Sequence, residues 1–282
     1  MKTLREYLTW AEEKQVAIGH FNISDSEGFK AVVESAAALG VPVIIGVSEG
    51  ERDFIGVPEI VALVKIERAK GLPVFLNADH TYSVEKVKEA VDAGFDAVLF
   101  DGVTKPYEEN VSMTRECVAY AKSKGNGVLV EAELGFIGQS SKILDKIPEG
   151  VSEHTQTKPE NARKFVEETG IDLFAPSVGN IHGITKGGEP NLNIERIRAI
   201  ASAVGVPLVL HGASGNSDED IRFAINAGVR IIHINTEIRI AYKTGVGAGL
   251  ESDEIAPYKF MAKGIEEMKK VIVDKLKLFN KL

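Results

Sequence analysis

Short apolar runs alternate with amphipathic segments along almost the whole chain, and this alternation is the feature that most limits the fold. Runs of four to eight residues rich in Val, Ile and Leu are typical of buried parallel strands, and apolar residues at helical spacing lie between them. The eight predicted strands are Val16–Phe21, Val41–Val47, Pro73–Ala78, Ala97–Asp101, Val128–Leu134, Leu173–Val178, Pro207–His211 and Arg230–Asn235. The predicted helices between them include Ser26–Leu39, Ser83–Ala93, Tyr107–Lys124, Pro159–Thr169, Ile194–Val204 and Asp218–Ala227.

Eight such units without a long linker predict one closed (β/α)8 TIM barrel rather than an open doubly wound sheet. An open sheet usually has fewer strands and a glycine-rich fingerprint after the first, but here the first strand is followed by Asn22-Ile23-Ser24-Asp25. We therefore expect residues 1–282 to form a single barrel domain. The tail Pro257–Leu282 is predicted as a charged helical extension, packed on the barrel or on a partner subunit. The longest irregular stretch, Gly135–Lys158, follows the fifth strand, and a loop of this length is usually functional or mobile.

Composition excludes several classes of function. A formal charge of −8 and a pI near 5.4 argue against nucleic-acid binding, which needs a basic face. No apolar run approaches the ~20 residues of a membrane helix, and the first residues lack a signal-peptide core. The single cysteine, Cys117, cannot form an internal disulfide and lies in a helical pattern, which indicates packing rather than catalysis. We expect a cytoplasmic protein without a nucleic-acid or membrane partner.

Three histidines lie where predicted strands run out into loops, and they suggest a metal centre. They are His80 in Asn77-Ala78-Asp79-His80, His182 in Gly179-Asn180-Ile181-His182-Gly183, and His211 in Val209-Leu210-His211-Gly212. The strand ends of a barrel converge on one face, where three imidazoles form a zinc site with a position left for substrate. A histidine in such a loop can also be an ordinary hydrogen-bonding residue, so the pattern indicates zinc only when all three are taken together.

Carboxylates accompany these histidines. Asp79 could cap the following helix, but Ser83 is better placed for that, which favours a functional Asp79. Glu131 and Glu133 are two residues apart in one strand, so both point into the barrel or both point out. They are either ion-pair partners at the rim, support for a zinc histidine, or a second metal position.

Glycine-rich and small polar residues follow the last strands, where TIM barrels usually bind phosphate. The segments are His211-Gly212-Ala213-Ser214-Gly215-Asn216 and Ile234-Asn235-Thr236-Glu237, and Gly183-Ile184-Thr185-Lys186 adds one lysine after strand six. Glycine loops alone are weak signals, because tight turns need them anyway. With the histidines, they predict an anion site beside the metal site.

The chain resembles the class II, zinc-dependent aldolases that act on fructose or tagatose bisphosphate. The resemblance covers nearly the whole length and rests on the order of Phe21-Asn22, Val47-Ser48-Glu49-Gly50, Asp79-His80, Phe100-Asp101-Gly102, Glu131-Ala132-Glu133-Leu134-Gly135, Gly179-x-x-His182-Gly183, His211-Gly212-x-Ser214-Gly215 and Asn235-Thr236-Glu237. It implies a Zn2+ cofactor, a phosphorylated sugar as substrate, a homodimer or homotetramer, and in many members a monovalent cation, Na+ or K+.

The resemblance also implies roles for individual residues. His80, His182 and His211 would hold zinc, and Asp79 would be the general acid/base at the hydroxyl beside the bond that breaks. Glu133 and Asp101 match alternative or supporting metal carboxylates. Asn22 and Ser48 match substrate contacts, and Arg239 matches an arginine that in some members reaches the other phosphate across a subunit interface. The remaining phosphate and substrate contacts would be Gly183, Lys186, Gly212, Ala213, Ser214, Asn235 and Thr236.

The chain departs from the family in three places. The acidic loop that handles the proton on the reacting carbon reads Gly138-Gln139-Ser140-Ser141, so Asp145, Glu149 or Glu153 would have to substitute. His233 replaces an asparagine in strand eight and could serve as an acid/base, a hydrogen-bond donor or a space-filling residue. Thr81 replaces the glycine after Asp79-His80.

We therefore expect a zinc-dependent aldolase that cleaves a ketose phosphate, with fructose 1,6-bisphosphate as the default substrate. Tagatose 1,6-bisphosphate or another ketose phosphate is the nearest alternative. A non-catalytic sugar-phosphate-binding homologue and an isomerase or epimerase with the same metal chemistry are the alternatives from other classes.

Overall fold

The computed structural model describes residues 2–138, 141–188 and 190–282. Eight parallel strands close into a barrel in the order β1-β10-β9-β7-β5-β4-β3-β2, so each strand lies beside its neighbour in the chain and β1 closes against β10. The barrel strands are β1 (Ile18–Asn22), β2 (Val43–Val47), β3 (Val74–Thr81), β4 (Ala97–Phe100), β5 (Leu129–Leu134), β7 (Leu173–Pro176), β9 (Leu208–Leu210) and β10 (Val229–Ile234). The predicted TIM barrel is confirmed.

Helices surround the barrel, and each predicted helix is present within one residue of its expected bounds. The helices are α1 (Leu4–Lys14), α2 (Ser26–Leu39), α3 (Glu49–Ile55), α4 (Val57–Ala69), α5 (Val84–Ala93), α6 (Tyr107–Lys124), α7 (Pro159–Thr169), α8 (Ile194–Val204), α9 (Asp218–Ala227), α10 (Thr236–Leu250), α11 (Pro257–Phe260) and α12 (Ala262–Asn280). Glycine ends several of them in the left-handed conformation, among them Gly40 after α2, Gly94 after α5 and Gly205 after α8.

The N-terminal end of the barrel is closed by an apolar plug. Leu4, Leu8 and Ala11 form the buried face of α1. They pack against the first inward-facing layer of the strands, which consists of Ile18, Ile44, Phe75, Ala97, Leu129, Leu173, Val209 and Ile231. This packing closes the interior of the barrel at its N-terminal end.

The C-terminal tail packs on the barrel itself. A break at Met261 divides it into α11 and α12, and α12 buries Met268, Ile272, Leu276 and Phe279 against α2, α10 and β1. The tail therefore covers the seam where β1 meets β10. In the described part of the chain, no helix is both long and apolar enough to span a membrane.

The stretch 135–158 is more ordered than its sequence indicated. Its described part contains β6 (Ile143–Leu144), which pairs in parallel with β8 (Ile184–Thr185) from the loop after β7, and a 3-10 turn at Glu153–Thr155. This small sheet connects the loop after β5 to the loop that carries His182. The expectation of a wholly irregular loop is therefore corrected.

Candidate active site

Strand alternation places polar side chains above the apolar plug. Two residues beyond Ile18, Phe75, Leu129 and Ile231 come the buried residues His20, Asn77, Glu131 and His233. Two residues further along their strands come Asn22, Asp79, Glu133 and Asn235. Because alternate residues of a strand share a face, all of these point into the barrel. The predicted common direction of Glu131 and Glu133 is confirmed, since both are buried and face His211.

These side chains surround a cavity of about 210 Å³ at the C-terminal ends of the strands. Its described lining residues are Asn22, Ser48, Asp79, His80, Tyr82, Asp101, Val103, Glu133, Gly135, Ile137, Gly138, Ser141, His182, Gly183, His211, Gly212, Ser214, His233, Asn235, Thr236 and Arg239. Most of the residues singled out from the sequence are therefore brought together at one place.

A bulge in β3 turns two neighbouring residues toward this cavity. Adjacent strand residues normally face opposite sides, but the pairing of β3 with β4 shifts between Ala78 and Thr81. His80 adopts a φ of +26°, which is rare for a residue other than glycine. As a result, Asp79 and His80 both line the cavity. Such backbone strain persists only where the surroundings enforce it, and it often marks functional sites.

The three predicted zinc histidines each have one nitrogen engaged by the protein. Nδ1 of His80 lies 2.9 Å from Oδ2 of Asp101, and Nδ1 of His182 lies 2.9 Å from the carbonyl oxygen of Gly138. Nε2 of His211 lies 2.7 Å from Oε1 of Glu131. A donated N–H at these positions leaves Nε2 of His80, Nε2 of His182 and Nδ1 of His211 as acceptors toward the cavity. Such supporting bonds fix tautomer and orientation at metal sites.

A carboxylate completes this donor set. Glu133 joins His80, His182 and His211 in a group that offers one ligand atom each, all within 4.8 Å of one another. Three nitrogens and one oxygen at this spacing fit a tetrahedral divalent cation such as zinc. Among the described residues, Oε1 of Glu133 has no hydrogen-bond partner, as expected of an atom that faces a ligand.

The charges around the histidines also favour a cation. Burial alone would lower the pKa of His80, but Asp79, Asp101 and Glu133 outweigh it and raise that pKa to about 10. Burial raises the pKa of Glu133 to about 7, against the opposing effect of His211 and His80. Burial lowers the pKa of His182 to about 3, so this imidazole is neutral. The cluster therefore favours bound positive charge. When no metal is bound, protons on these side chains provide that charge.

Asp79 is held as a buried carboxylate beside the metal donors. Asn22 donates from Nδ2 to its Oδ2 at 2.8 Å. Its Oδ1 has no hydrogen-bond partner among the described residues, and lies 3.9 Å from Nε2 of His80 and 3.8 Å from Nδ1 of His233. Burial opposes ionisation, but charged His80 and its neighbours lower the pKa of Asp79 well below its usual range. The free oxygen is therefore a proton acceptor that faces the cavity.

His233 stacks on a histidine that the sequence analysis did not select. The rings of His20 and His233 are parallel within 6°, with centroids 3.4 Å apart, and His233 also packs against His211 at 3.8 Å. Burial lowers the pKa of His20 to about 3 and also holds the pKa of His233 well below its usual range, so both rings are neutral. Nε2 of His233 has no hydrogen-bond partner in the described part of the protein. His233 is thus positioned by packing.

The mouth of the cavity on the β1–β2 side is organised by Glu51, which also was not predicted. Asn22 donates to its Oε2 at 2.9 Å, and Ser48 donates to the same oxygen from its backbone N and its Oγ at 2.8 and 2.9 Å. Arg239 pairs with its Oε1 at 2.6 Å. Arg239 therefore lies at the mouth of its own chain's cavity, whereas the resemblance implied a contribution across a subunit interface.

Four of the residues predicted to bind phosphate lie where β9 and β10 end. Gly212, Ser214, Asn235 and Thr236 line the cavity, and Thr236 begins α10, whose free backbone N–H groups favour anions. Gly212 has a φ of +59°, and a Cβ there would lie 2.2 Å from the carbonyl oxygen of Ile181, so only glycine fits this turn.

Two predicted phosphate contacts lie outside this group. Lys186 is exposed and pairs with Asp145 at 2.7 Å, and it is not among the described lining residues. Ala213 is buried in the core and also does not line the cavity. Gly183 does line it, between His182 and the small sheet. The expected contribution of the loop after β7 is therefore restricted to Gly183 and His182.

The described part of the loop after β5 brings no carboxylate into the cavity. Asp145, Glu149 and Glu153 are absent from the described lining residues, and Asp145 is occupied by Lys186. Ser141 lines the cavity and accepts from Nδ2 of Asn235 at 3.4 Å. Gln139 and Ser140, on which the departure from the family pattern also falls, lie outside the described residues.

Local patterns could have identified some of the missed residues. Ser48-x-x-Glu51 is a capping box, which predicts the start of α3 and the proximity of both side chains. His20 shares the inward face of β1 with Asn22, so strand alternation would have placed it in the barrel. Arg52 had no such signal. It is buried and donates to the carbonyl oxygens of Val47 and Asp79, contacts that bridge two strands.

Comparison with known proteins places this site in a family. A sequence model described as "Fructose-bisphosphate aldolase class-II" matches residues 2–282. The chain is 38% identical to "Fructose-bisphosphate aldolase" of Staphylococcus aureus strain Mu50, over 99% of this chain and 96% of the relative. It is also 38% identical to "Probable fructose-bisphosphate aldolase" of Bacillus subtilis strain 168, over 99% and 97%. The crystal structure of the YdjI aldolase of Escherichia coli K12 superimposes with a TM-score of 0.84 at 32% identity, covering 98% and 96% of the two chains.

The TIM barrel and the cluster of three histidines and a glutamate are typical of metal-dependent lyases. The chain belongs to the class II fructose-bisphosphate aldolase family. The expected family, enzyme class and fold are thus confirmed. Class II aldolases are lyases of carbohydrate metabolism that act on phosphorylated sugars and generally depend on a metal.

Proposed function

We propose that this protein is a zinc-dependent aldolase that cleaves the C3–C4 bond of a ketose phosphate to give dihydroxyacetone phosphate and an aldehyde. The observation that carries the proposal is the convergence of three acceptor nitrogens, from His80, His182 and His211, beside the free oxygen of Asp79. Glu133 would be the fourth or an alternative ligand, and Asp101 would orient His80 rather than bind metal directly.

Bound zinc would act as a Lewis acid toward the carbonyl oxygen of the substrate, so no lysine Schiff base is needed. Asp79 would accept the proton of the C4 hydroxyl while the electron pair of the C3–C4 bond moves to C3 and C4 becomes a carbonyl carbon. Asn22 holds the other oxygen of Asp79, which fixes the carboxylate for this transfer. The phosphate of the dihydroxyacetone half would bind Gly212, Ser214, Asn235 and the N-terminal N–H groups of α10.

His233 is the candidate for the proton exchanged at C3. It lines the cavity beside Asp79, and the described part of the loop after β5 offers no carboxylate there. In cleavage His233 would receive on Nδ1 the proton that Asp79 takes from the hydroxyl and would release a ring proton to C3, and in synthesis both transfers would run in reverse. The proposal is completed by features that the family resemblance implies: a single domain, a homodimer or homotetramer, a monovalent cation at the phosphate end, and a cytoplasmic location.

The test is whether the protein cleaves a ketose phosphate and whether a chelator stops that cleavage. Purified protein would be incubated with ketose phosphates, fructose 1,6-bisphosphate among them, and triose phosphate followed before chelation, after chelation and after zinc is restored. We expect activity that chelation removes and zinc restores. His80→Ala should abolish it, whereas His154→Ala, which removes an exposed histidine from the 3-10 turn, should not. A folded, zinc-loaded protein that cleaves no ketose phosphate would contradict the proposal, and proton exchange at the substrate without cleavage would favour an isomerase.

A further inference from the structure

The positive charge available to a substrate is scarce in this cavity. Among its described lining residues, Arg239 is the sole lysine or arginine. Gln139 and Ser140, which adjoin the described lining residues Gly138 and Ser141 in sequence, carry no charge. Lys186 lies outside and is paired with Asp145. A substrate with two phosphates would therefore have to share one guanidinium and the backbone N–H groups of the α10 N-terminus.

That one guanidinium is already neutralised. Glu51 is only 6% exposed and pairs with Arg239 at 2.6 Å. The carboxylate is also held by Asn22 and by both donors of Ser48, so it is fixed in place by four hydrogen bonds. Both donors of Ser48 and one N–H of Asn22 are thereby directed at Glu51.

Arg52, which follows Glu51 in the chain, is not free to compensate for its negative charge. Arg52 is buried and donates to the carbonyl oxygens of Val47 and Asp79 and to Oγ1 of Thr81. Glu49, Asp79 and Glu51 lie close enough to offset its charge. The β1–β3 side of the mouth therefore carries an excess of negative charge.

This side faces the aldehyde half of the substrate. The dihydroxyacetone phosphate half would extend from the metal donors toward Gly212 and Thr236, while Asp79 would touch the C4 hydroxyl. The chain of hydrogen bonds from Asp79 through Asn22 to Glu51 leads away from that phosphate end toward the mouth. Atoms beyond C4 would consequently lie near Ser48, Glu51 and Arg239.

We propose that the aldehyde half of the substrate carries no phosphate, so that the preferred substrate is a ketose 1-phosphate and Glu51 is the residue that sets this preference. This inference rests on the proposed aldolase function. A second phosphate at the mouth would have to displace a fixed carboxylate from Arg239 and then remain beside it, and such juxtaposition of like charges is strongly unfavourable. Hydroxyl groups, by contrast, can donate to the oxygens of Glu51 without a change in charge.

The test compares substrates that differ only in the distal phosphate. The zinc-loaded protein would be assayed with fructose 1-phosphate against fructose 1,6-bisphosphate, and with the corresponding tagatose pair, so that configuration at C4 does not decide the result. We expect kcat/KM for the monophosphate to exceed that for the bisphosphate by roughly tenfold or more. Glu51→Gln, which keeps the size and removes the charge, should shift this ratio by about tenfold toward the bisphosphate.

Two further variants separate the local ion pair from other causes. Arg239→Ala should cancel the gain in bisphosphate cleavage when added to Glu51→Gln, because the freed guanidinium would be the group that binds the second phosphate. Asp53→Asn removes the same charge from an exposed position on the same helix and should leave the substrate ratio unchanged. The measured quantity is the ratio of kcat/KM for two substrates. A loss of kcat that Glu51→Gln causes through Asn22 would lower both values and would leave their ratio unchanged.

The outcomes distinguish this inference from the proposed function. A wild-type preference for either bisphosphate, or a ratio unmoved by Glu51→Gln, would overturn the inference and leave the aldolase function intact. Equal effects of Asp53→Asn and Glu51→Gln would also overturn it, since the cause would then be the overall charge. Absence of cleavage with all four substrates would instead count against the aldolase function, and the inference would fall with it.

Discussion

Gly46 and His20 provide a sharp test of the packing beneath the active site. A Cβ on Gly46 would lie 2.1 Å from Cε1 and 2.5 Å from Nε2 of His20, and these are the nearest atoms to it. Ordinary contact begins at about 3.4 Å, so the ring would have to retreat by about 1.3 Å. It cannot do so freely, because the ring is stacked on His233 at 3.4 Å. We expect Gly46→Ala to destabilise the protein by about 1–3 kcal/mol, the usual cost of overpacking a core.

A double-mutant cycle assigns this cost to His20. Urea unfolding would be measured for the wild type, Gly46→Ala, His20→Ala and the double variant, all in chelator so that metal binding does not contribute. In the His20→Ala background the added methyl group enters vacated space, and Gly46→Ala should become neutral or stabilising. The coupling energy should therefore reach about 1–3 kcal/mol, in the range for residues in direct contact. Gly50→Ala, where a Cβ meets nothing within 4 Å, is the matched control and should have little effect.

The activity of the same variants links this packing to catalysis. If the stack positions His233, Gly46→Ala should lower kcat more than it raises KM, because the phosphate end of the site is untouched. A cost of Gly46→Ala that is equal in both backgrounds would refute the proposed clash. An unchanged kcat in a destabilised Gly46→Ala protein would show that the position of His233 does not matter for turnover.

Three other outcomes are expected. Glu131→Gln should weaken zinc binding by about tenfold to a hundredfold in competition with a chromophoric chelator, because the carboxylate that orients His211 is lost; unchanged affinity would contradict this role. Apparent zinc affinity should rise by about one log unit per pH unit between pH 7 and 9, since His80, with its pKa raised to about 10, must lose a proton to bind metal. Calorimetry in buffers of different ionisation enthalpy should detect the released proton. A zinc affinity that does not change with pH would refute this prediction. Cys117 is buried, which raises its pKa to about 12, so a thiol reagent at pH 8 should modify it only after unfolding; rapid modification of the native protein would contradict this.

Much of the fold was predictable because its information is local. The helix from Ser26 to Leu39 and the helix from Ile194 to Val204 begin and end at the predicted residues, since caps and glycines mark both ends. Five of the eight barrel strands begin one or two residues later than expected, and residues such as Val16 and Val41 lie in the turns before them. The small sheet of β6 and β8 was not predictable, because two-residue strands have no periodicity and their partner lies about forty residues away.

The candidate site also has a part that local motifs predict and a part that they do not. The meeting of His80, His182 and His211 was predictable because each lies in a recognisable motif at or beyond the end of a strand, and the ends of parallel strands must meet. The bond between Glu51 and Arg239 joins residues 188 positions apart, and no local pattern indicates it. Nor does any pattern show that Lys186 turns outward to Asp145. These contacts depend on the direction of side chains at loop and helix starts, which tertiary packing decides.

Asn22 shows why these long-range contacts matter for function. Its amide nitrogen carries two hydrogens, and both are used: one bond goes to Asp79, the proposed acid/base, and the other to Glu51, at the mouth. Any substrate group that draws Glu51 away must therefore also release one of the two bonds that hold Asn22. Because Asn22 fixes the carboxylate of Asp79, the cost of accommodating charge at the mouth is transmitted to the atom that accepts the proton. A substrate that leaves Glu51 in place keeps the acid/base in position.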